Sequence, residues 1–330
     1  MRRRDLVRDA IAFGLALGAL APRAVAAEDW PTRPVTMVVP IAAGGSADSI
    51  ARVVAAGLSQ TLGQPVVVEN MGGAGSMMGA NRVAKAPPDG YQFVFGTTGT
   101  FAHTQTFYKR PLYNTSTDFA PVALVSQQPI LLVVRKDLPV RNLQEFIAYT
   151  KANQTTMQYG SPGVGSGNHL GCVVLNAAIG VSVTHVPYRG GGPAMQDLIA
   201  GRIDYQCANN VLAMPLIQSG AIKAIAVLAR ERSPLLPDLA SAQEQGLGDV
   251  DVTNWFAVAL PAATPTAIVR KLNEAIVAAM NTPAIQEKMR AIGADLVEPD
   301  RRSPEYLKTF FESEIARWAR IIKASGVAIN

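Results

Sequence analysis

Residues 35–62 read VTMVVPIAAGGSADSIARVVAAGLSQTL. The first six residues are apolar except for Thr36, which predicts a buried strand, and residues 46–62 repeat apolar side chains at helical spacing. The glycine-bearing loop between them exposes backbone N–H groups at the start of a helix, where a partial positive charge favours anions. The stretch therefore predicts a strand, an anion-binding turn and a helix in succession.

Three further loops share this order of strand, glycine-bearing turn and helix. They read ENMGGAGSMMG (69–79), GTTGT (96–100) and GSPGVGSGNH (160–169), beside PIAAGGSAD (40–48) in the opening stretch. In open α/β sheets, ligands bind at the carboxyl ends of the strands, which is where all four loops fall. We therefore predict an anion-binding site made mostly of backbone amides.

The rest of the chain alternates short apolar strands with amphipathic helices. Strands are predicted at residues 66–69, 93–95, 130–134, 157–159, 183–186, 205–208, 222–228 and 255–260. Helices are predicted at residues 76–86, 143–152, 169–178, 193–201, 212–219, 265–280, 283–292 and 304–325. This alternation predicts an α/β fold with mostly parallel sheets flanked by helices, and two series of similar size predict two lobes with a ligand cleft between them.

The N-terminus has the pattern of an export signal. Residues 2–8 are rich in arginine, residues 10–21 are an apolar run too short to span a bilayer, and Ala24-Val25-Ala26 fits a cleavage site. We predict a signal peptide over residues 1–26, cleaved near Ala26/Ala27, and hence a periplasmic protein. The segment RRDLVR (3–8) also resembles a twin-arginine signal, and the ordinary secretory route is the alternative.

Composition favours a folded mature protein of nearly neutral charge. Hydrophobic residues make up 48% of the chain and charged residues 17%. Residues 1–26 hold five basic and two acidic residues, so the net charge of +5 falls to +2 without them. That balance gives no electrostatic case for nucleic acid or an anionic membrane as a partner, and no later stretch is long and apolar enough to span a bilayer.

The chain has two cysteines, Cys172 and Cys207, each in an apolar helix or strand context. Export makes a disulfide between them chemically possible. Two buried free thiols are the alternative that we favour, because a buried cysteine packs well as a small hydrophobic residue.

The usual catalytic and metal-binding patterns are missing from the sequence. The three histidines, His103, His169 and His185, lack metal-site spacing, and no serine lies in a G-x-S-x-G motif. There is no P-loop motif, and the third glycine of residues 163–167 falls one position too early for a dinucleotide fingerprint. We therefore predict no cofactor, no metal site and no enzymatic activity, so the loops indicate a binding site.

Polar residues of the first two loops are candidates for ligand contact, each with a structural alternative. Ser46 and Ser76 could cap helices, a role compatible with ligand contact. For Asp48 we favour a structural role, since its charge stabilises the first turn of its helix. Asn70 could bind a ligand or hold its own loop through an Asx turn.

The third and fourth loops add four more candidates. Thr97 and Thr98 point in opposite directions from the end of a strand, so one of them should face the cleft. Ser161 and Ser166 lie in the fourth loop. His169, which follows them, could equally form hydrogen bonds at the start of its helix.

Two further candidates lie outside the four loops. Arg189 could clamp a carboxylate, although a solvated loop arginine is the favoured alternative. Asn209 ends a strand on the cleft side and could hydrogen-bond a ligand. Tyr188, Trp255 and Phe256 could supply an aromatic wall or belong to the core, and we favour the core for Trp255.

Several long motifs resemble those of the tripartite tricarboxylate transporter substrate-binding proteins, the Bordetella uptake gene family. They are WPTRPVTMVVPIAAGGSAD (30–48), LGQPVVVENMGGAGSMMGANRVAKAPPDGY (62–91), DFAPVALV (118–125), YGSPGVGSGNHL (159–170), HVPYRGGGPAMQDLIAGRID (185–204) and WARIIKASG (318–326). The resemblance covers essentially all of the mature chain.

This resemblance implies a two-lobed periplasmic binding protein of type II-like fold, with lobe 1 at residues 27–125 plus 233–330 and lobe 2 at residues 126–232. It implies a monomer that captures a small organic carboxylate and delivers it to two integral-membrane transporter subunits driven by an ion gradient. Together with the polar candidates above, it gives these ligand-binding residues: Ala42, Ala43, Gly44, Ser46, Asn70, Gly75, Ser76, Thr97, Thr98, Ser161, Gly165, Ser166, His169, Arg189 and Asn209.

The chain departs from the family pattern in two loops. Residues 41–43 are Ile-Ala-Ala where the family commonly has an aromatic residue followed by two prolines, and residues 71–73 are Met-Gly-Gly where it commonly has Arg-Pro before GAG. These smaller side chains predict a roomier or differently shaped pocket, which suits an aromatic carboxylate or a longer dicarboxylate. Alternatives to the transport role are a ligand-presenting accessory of a two-component sensor and a periplasmic enzyme.

Overall fold

A computed structural model describes residues 30–326 of the chain. The predicted signal peptide and its cleavage site near Ala26/Ala27 lie outside the described residues. Within them, the opening stretch forms as predicted, with a strand over Val35–Val39 and a helix over Ser46–Leu62. The apolar run and the helical spacing of residues 35–62 thus set both elements.

Strands of the described part belong to one curled sheet of nine strands. They are β1 (Val35–Val39), β2 (Val66–Asn70), β3 (Gln92–Thr97), β4 (Phe119–Arg135), β5 (Gln158–Ser161), β6 (Thr184–Pro187), β7 (Tyr205–Asn209), β8 (Ile222–Val227) and β9 (Thr253–Pro261). The spatial order is β2-β1-β3-β9-β4-β7-β5-β6, with β8 paired to β4.

Helices flank this sheet. They are α1 (Ser46–Leu62), α2 (Met77–Ala84), α3 (Thr104–Phe107), α4 (Thr115–Asp118), α5 (Leu143–Asn153), α6 (Gly167–Ile179), α7 (Gly191–Ile199), α8 (Asn210–Gln218), α9 (Thr266–Asn281), α10 (Pro283–Ala291) and α11 (Pro304–Ala324). Across residues 30–326, none of them has the length and apolar character needed to cross a membrane.

Each half of the sheet contains three parallel strands. β2, β1 and β3 form one group, and β7, β5 and β6 form the other. The groups are joined by β9 and β4, which run antiparallel to each other and to the neighbouring β3 and β7. The α/β fold class is confirmed, and the complete sheet is mixed because its two central strands run antiparallel.

β4 is much longer than the strand predicted at residues 130–134. Its first part, up to Pro129, pairs with β9, and its second part, from Ile130, pairs with β7 and β8. Pro121 and Pro129 concealed the first part, because proline donates no N–H group and usually marks the end of a strand. A register shift between Pro121 and Ala123 accommodates one of them.

The core lies on both faces of β4, because successive residues of a strand point to opposite faces of its sheet. Leu132 and Val134 belong to the main core, which also covers the first group of parallel strands. Leu131 and Val133 pack in a smaller core with Leu198 of α7. β4 therefore connects the two halves of the molecule through packing as well as through hydrogen bonds.

Cys172 and Cys207 form a disulfide, with their Cα atoms 5.4 Å apart. The favoured expectation of two free thiols is therefore wrong. Cys172 lies on α6 and Cys207 on β7, and both are fully buried. The sequence left the pairing open because the packing of α6 against β7 is a tertiary contact between segments 35 residues apart.

Candidate functional site

A cavity of about 540 Å³ opens between loops that follow five of the parallel strands. One side, which we call the first wall, is formed by the loops after β1 and β2 (residues 40–48 and 71–76) and by Thr97 and Gly99 at the end of β3; residues 40–42, 72–76, 97 and 99 of it line this cavity. The other side, which we call the second wall, is formed by residues 162–166 and 188–190, which follow β5 and β6, and all of these except Gly165 line the cavity. The loops meet at the carboxyl ends of their strands, as predicted.

The two walls touch along one edge of the cavity. A Cβ atom built on Gly190 would lie 3.5 Å from the Cβ of Ala42, and one built on Gly45 would lie 3.9 Å from the backbone nitrogen of Gly191. Behind the walls, His103 donates a hydrogen bond from Nδ1 to the Gly165 carbonyl oxygen over 3.1 Å. The cavity is therefore partly enclosed by direct contact between the two halves of the molecule.

A second, smaller cavity of about 40 Å³ shares four lining residues with the first. Its wall contains the N-terminal residues of α1, α6 and α7, each of which contributes a partial positive charge. Polar side chains of Asn168, Asn209 and Asn254 complete it. This cavity is lined with hydrogen-bonding groups and helix N-termini, a combination that suits an anionic or strongly polar group.

Two serine hydroxyls of the first wall lack a hydrogen-bond partner within the described structure. Ser46 is 5% exposed and lines the smaller cavity, and Ser76 is 9% exposed and lines the main one. Ser46 is the first residue of α1, whose N-cap is Gly45, so the prediction that Ser46 caps this helix is wrong. Ser76 occupies the N-cap position of α2 without a capping hydrogen bond. A buried hydroxyl without a partner costs free energy, so both hydroxyls are available to a bound group.

The backbone around Ser76 adopts an unusual conformation. Ala74, Gly75 and Ser76 have φ angles of 46°, 62° and 79°, in the left-handed region that non-glycine residues rarely enter. For Ala74 and Ser76, which are not glycine, this conformation costs on the order of 1–3 kcal/mol each, and residues of this kind concentrate at functional sites. All three line the main cavity.

The loop of residues 40–48 is held in place by a network around Asp48. The carboxylate of Asp48 accepts hydrogen bonds from the Gly44 backbone N–H (3.0 Å) and from Arg52. Burial opposes ionisation of Asp48, but these hydrogen bonds outweigh it and lower its pKa. Asn70 accepts from Arg52 and donates to the Ile41 carbonyl oxygen. Asp48 therefore has the structural role that was favoured for it, whereas Asn70 holds the loop of residues 40–48 through Ile41 and not through the Asx turn considered for it.

Ser166 connects the second wall to α6. Its hydroxyl oxygen accepts from the His169 backbone N–H, which caps the helix, and its O–H donates to the Gly163 carbonyl oxygen over 2.7 Å. Unlike Ser46 and Ser76, this serine has both of its hydrogen-bonding roles filled by the protein. It nevertheless lines both cavities.

The peptide groups of Gly165 lie between two buried histidines. The Gly165 N–H donates to Nδ1 of His169 over 3.2 Å, and the Gly165 carbonyl accepts from Nδ1 of His103. His103 is fully buried and His169 is 4% exposed. The pKa of each is lowered to about 3, mainly by burial. The charge of Arg317 also contributes to the lowered pKa of His103, and the neighbouring His185 contributes to that of His169. Both are therefore neutral at pH 7.

His185 extends this cluster toward β5. Its ring centroid lies 4.1 Å from that of His169 and 4.8 Å from that of Tyr159. Its Nε2 lies 2.7 Å from Oγ of the fully buried Ser161. Burial lowers the pKa of His185 to about 4. The second wall is thus supported from behind by a stack of neutral, hydrogen-bonded rings.

Arg189 is the only charged residue among those lining the main cavity in the described part of the chain. It is exposed, and over residues 30–326 its guanidinium makes no hydrogen bond or ion pair with the protein. Its neighbours are fixed, because Tyr188 N–H donates to the Ser161 carbonyl (2.9 Å) and Gly190 N–H donates to the Pro162 carbonyl (3.2 Å).

The structure places eight of the fifteen candidate residues on a cavity wall. The main cavity is lined by Ala42, Gly75, Ser76, Thr97, Ser166 and Arg189, and the smaller one adds Ser46 and Asn209. Seven candidates line neither cavity: Ala43, Gly44, Asn70, Thr98, Ser161, Gly165 and His169. Thr98 donates to Asn254 Oδ1 and accepts from the Trp255 backbone N–H, so Thr97 is the threonine that faces the cavity.

Some cavity-lining residues were not predicted. Asn254, on β9, lines the smaller cavity and donates from Nδ2 to Oδ1 of Asn209 over 3.3 Å. No local pattern marks it, because β9 reaches the site only through the sheet order. Tyr188 and Phe256 line the cavities, whereas Trp255 is a fully buried core residue, as favoured.

In the part of the chain that the structure describes, no group of three or more histidine, cysteine, aspartate or glutamate side chains is placed to hold a metal ion. The cavities are lined by backbone amides, by hydroxyl and amide side chains, and by one guanidinium group. Such groups can bind and orient an anion.

Comparison with known proteins gives a consistent result. Residues 50–327 match the family described as the tripartite tricarboxylate transporter family receptor. MatC of Rhodopseudomonas palustris, solved with bound malate, is 38% identical with a TM-score of 0.86, and the match covers 89% of this chain and 100% of that one.

Two other solved structures are similar to a comparable degree. The periplasmic binding protein BugD is 37% identical with a TM-score of 0.86, covering 90% of this chain and 99% of its own. The R. palustris protein Rpa4515, solved with adipate, is 38% identical with a TM-score of 0.87, and the match covers 91% of this chain and 99% of that one.

Proposed function

This chain belongs to the tripartite tricarboxylate transporter receptor family, and we propose that it is a periplasmic receptor that binds a small organic carboxylate between its two walls. The observation that carries the proposal is the pair of buried hydroxyls, Ser46 and Ser76, that have no partner within residues 30–326 and line the two cavities. A carboxylate has acceptor oxygens that such donors need.

The surroundings of these hydroxyls support an anion. Helix N-termini of α1, α6 and α7 line the smaller cavity, and no acidic residue lines either cavity within the described residues. Two similar proteins were solved with malate and with adipate, both of which are carboxylates. We assign ligand contact to Ser46, Ser76, Thr97 and Asn209, together with backbone amides of the loops, and to Ser166, whose O–H is engaged with Gly163, a role in positioning the second wall. The seven candidates that line neither cavity act through the loops they hold.

Delivery to a membrane transporter is the second part of the proposal. We propose that the mature protein is a monomer of two lobes, residues 27–125 plus 233–330 and residues 126–232, that close on the ligand. We also propose that it passes the ligand unchanged to two integral-membrane subunits driven by an ion gradient. The family description, which names a receptor of a transporter, supports this role.

A thermal-shift screen of the mature protein tests the carboxylate assignment. A ligand present at about 100 times its dissociation constant should add roughly 2.7 kcal/mol to the free energy of unfolding, which raises the melting temperature by several degrees. Mono-, di- and tricarboxylates form the screen, and the corresponding amides and alcohols are the uncharged controls. A screen in which no carboxylate raises the melting temperature above its uncharged control would contradict the assignment.

The transport role needs a separate measurement. Deleting the gene should abolish uptake of the identified carboxylate, and uptake in the complemented strain should be sensitive to an ionophore. NMR spectra of the ligand incubated with the protein should show the ligand unchanged. Uptake that persists in the deletion strain would contradict delivery, and turnover of the ligand would indicate an enzyme.

A further inference from the structure

We propose that Arg189 makes this receptor selective for ligands that carry two acid groups, by pairing with the second one. This inference rests on the proposed function, because it concerns the same cavity. It identifies the substrate class as a dicarboxylate and Arg189 as the residue that recognises it.

The first step is the charge of the cavity. Among the residues that line it in the described structure, Arg189 supplies the only formal charge, and no acidic side chain faces it there. The nearby carboxylate of Asp197 is already engaged, because it accepts from Tyr188 Oη (2.7 Å) and from Arg202 (2.7 Å). An unpaired guanidinium at the edge of a cleft provides a forked donor that matches a carboxylate in two hydrogen bonds.

The second step is the separation of Arg189 from the groups assigned to the first carboxylate. Ser46 and Asn209 line the smaller cavity, whereas Arg189 lines only the main one. A single carboxylate that occupies the smaller cavity therefore leaves the guanidinium without a partner. Apolar groups of Ile41, Pro162 and Val164 line the space of the main cavity and can contact a hydrocarbon chain that joins two acid groups.

The third step is the fixed position of Arg189. The backbone hydrogen bonds of its two neighbours tie residues 188–190 to residues 161 and 162 of the same wall. Gly190 then begins α7 as its N-cap, so the helix N-terminus adds a partial positive charge beside the guanidinium. Backbone hydrogen bonds on both sides fix the point from which the side chain extends, so the guanidinium can reach the main cavity from a defined position in the second wall.

Isothermal titration calorimetry on matched acids tests the proposal. The ligands are succinate, glutarate and adipate, each compared with the monoacid of the same carbon number: butyrate, valerate and hexanoate. Wild-type protein should prefer the diacid in the pair that fits the cavity. Arg189→Gln should weaken binding of that diacid roughly tenfold, since Arg189 is exposed and its charged hydrogen bond falls at the weak end of the usual range, and should leave its monoacid within about twofold.

Two further variants distinguish the forked hydrogen bonding of Arg189 to a carboxylate from a nonspecific effect of positive charge. Arg189→Lys keeps the charge but loses the fork, so it should recover only part of the diacid affinity. Arg270→Gln removes an exposed arginine of α9 that lines neither cavity, so it should leave both affinities unchanged.

The outcomes distinguish this inference from the proposed function. Binding of monoacids as tightly as diacids by wild-type protein, or equal weakening of both by Arg189→Gln, would overturn the selectivity role while leaving a carboxylate receptor in place. A diacid affinity unchanged by Arg189→Gln would do the same. Failure of wild-type protein to bind any of the carboxylates screened above would reject the proposed function, and the inference with it.

Discussion

The two walls of the cavity are built in different ways. The first wall takes its shape from backbone conformation, with Ala74, Gly75 and Ser76 in the left-handed region, and two of its serine hydroxyls have no partner among residues 30–326. The second wall takes its shape from buried side chains, with Gly165 held between His103 and His169. One wall thus presents unsatisfied groups to the cavity, while the other has satisfied most of its own.

This difference shows how a single site can keep hydrogen-bond donors available for a ligand while the structure around it remains stable. The unpartnered hydroxyls of the first wall gain hydrogen bonds only when a ligand arrives. In the second wall, Gly165 and Ser166 already have hydrogen-bond partners in the protein, and the disulfide between Cys172 and Cys207 joins α6, which follows this wall, to β7. We expect changes to the buried side chains that support the second wall to affect folding first, and changes to the hydroxyls of the first wall to affect binding first.

Acidification should produce the largest effect, and it should act through the second wall. Histidines of the unfolded chain take up a proton near pH 6.5, whereas folded His103 and His169 have a pKa of about 3. The unfolded state therefore binds more protons below pH 6.5, and the free energy of unfolding falls as the pH drops toward 3. Between pH 7 and 5 we expect a loss of up to about 2 kcal/mol per buried histidine.

Urea unfolding curves at pH 7, 6 and 5 measure this loss. Carboxylates titrate mostly below pH 5, so this window isolates the histidines. His169→Phe keeps a ring in the stack but removes one titrating group, and should reduce the pH dependence by about one histidine's share. Asp48→Asn, in the first wall, is the control and should leave the slope unchanged. A stability that is the same at pH 7 and pH 5 would contradict the buried neutral state of these histidines.

Two glycine-to-alanine changes, one in α2 and one in α6, should differ in their effect on the free energy of unfolding. A Cβ atom on Gly79 of α2 would lie 2.6 Å from the Met71 carbonyl oxygen and 3.0 Å from the Cα of Pro40, both backbone atoms of segments next to the first wall. We expect Gly79→Ala to lower the free energy of unfolding by about 1–3 kcal/mol.

Gly171→Ala in α6 is the matched control for that substitution. Its Cβ would meet its nearest neighbours at 3.4 Å or more, in ordinary contact. Alanine also favours a helix over glycine by roughly 0.5–1 kcal/mol, so Gly171→Ala should leave stability unchanged or raise it. Thermal or urea unfolding of the two variants checks the contrast, and equal losses would show that the first wall has no special backbone constraint.

Two serine-to-alanine changes should give the smallest effects and separate folding from binding. Ser166 caps α6, so Ser166→Ala should cost about 1 kcal/mol of stability. Ser46 makes no hydrogen bond with the described protein, so Ser46→Ala should leave the stability of the ligand-free protein nearly unchanged or raise it slightly.

Titration of the same two variants with the carboxylate found in the screen completes the test. Ser46→Ala should weaken binding several-fold, because the ligand loses a hydroxyl donor. A Ser46→Ala protein that is destabilised as much as Ser166→Ala would remove the distinction between the walls. An unchanged affinity of Ser46→Ala would remove this serine from the binding site.

Much of the local structure could be predicted from the sequence. The bounds of α1 were predicted to the residue, and α2 and α11 to within two residues, because apolar periodicity, proline and glycine mark such ends. The alternation of side chains along β3 predicted that one threonine faces the cleft, and Thr97 does. The first part of β4 was missed, because Pro121 and Pro129 suggested a break.

The candidate site was predicted less well than the fold. Ser161 and His169 are polar residues of the fourth loop, but both point into the buried cluster behind the second wall. Asn254 reaches the smaller cavity from a strand that gave no local signal. Whether a polar loop residue faces a ligand or its own protein depends on contacts between distant segments, which spacing along the chain does not record.

The sequence by itself determined the α/β class, the succession of strands and helices, the family and the four loops at the strand ends. The family follows from the long sequence motifs, and the other three follow from short-range periodicity and from backbone groups at helix N-termini, which act within a few residues of one another. Only the tertiary structure decided that the hydroxyls of Ser46 and Ser76 have no partner in the described part of the chain, that two histidines hold Gly165, and that Cys172 bonds to Cys207. Each of these depends on burial and on partners brought together by the sheet order. A buried polar group needs a hydrogen-bond partner, so it either stabilises the protein by bonding to it or remains available to bind a ligand.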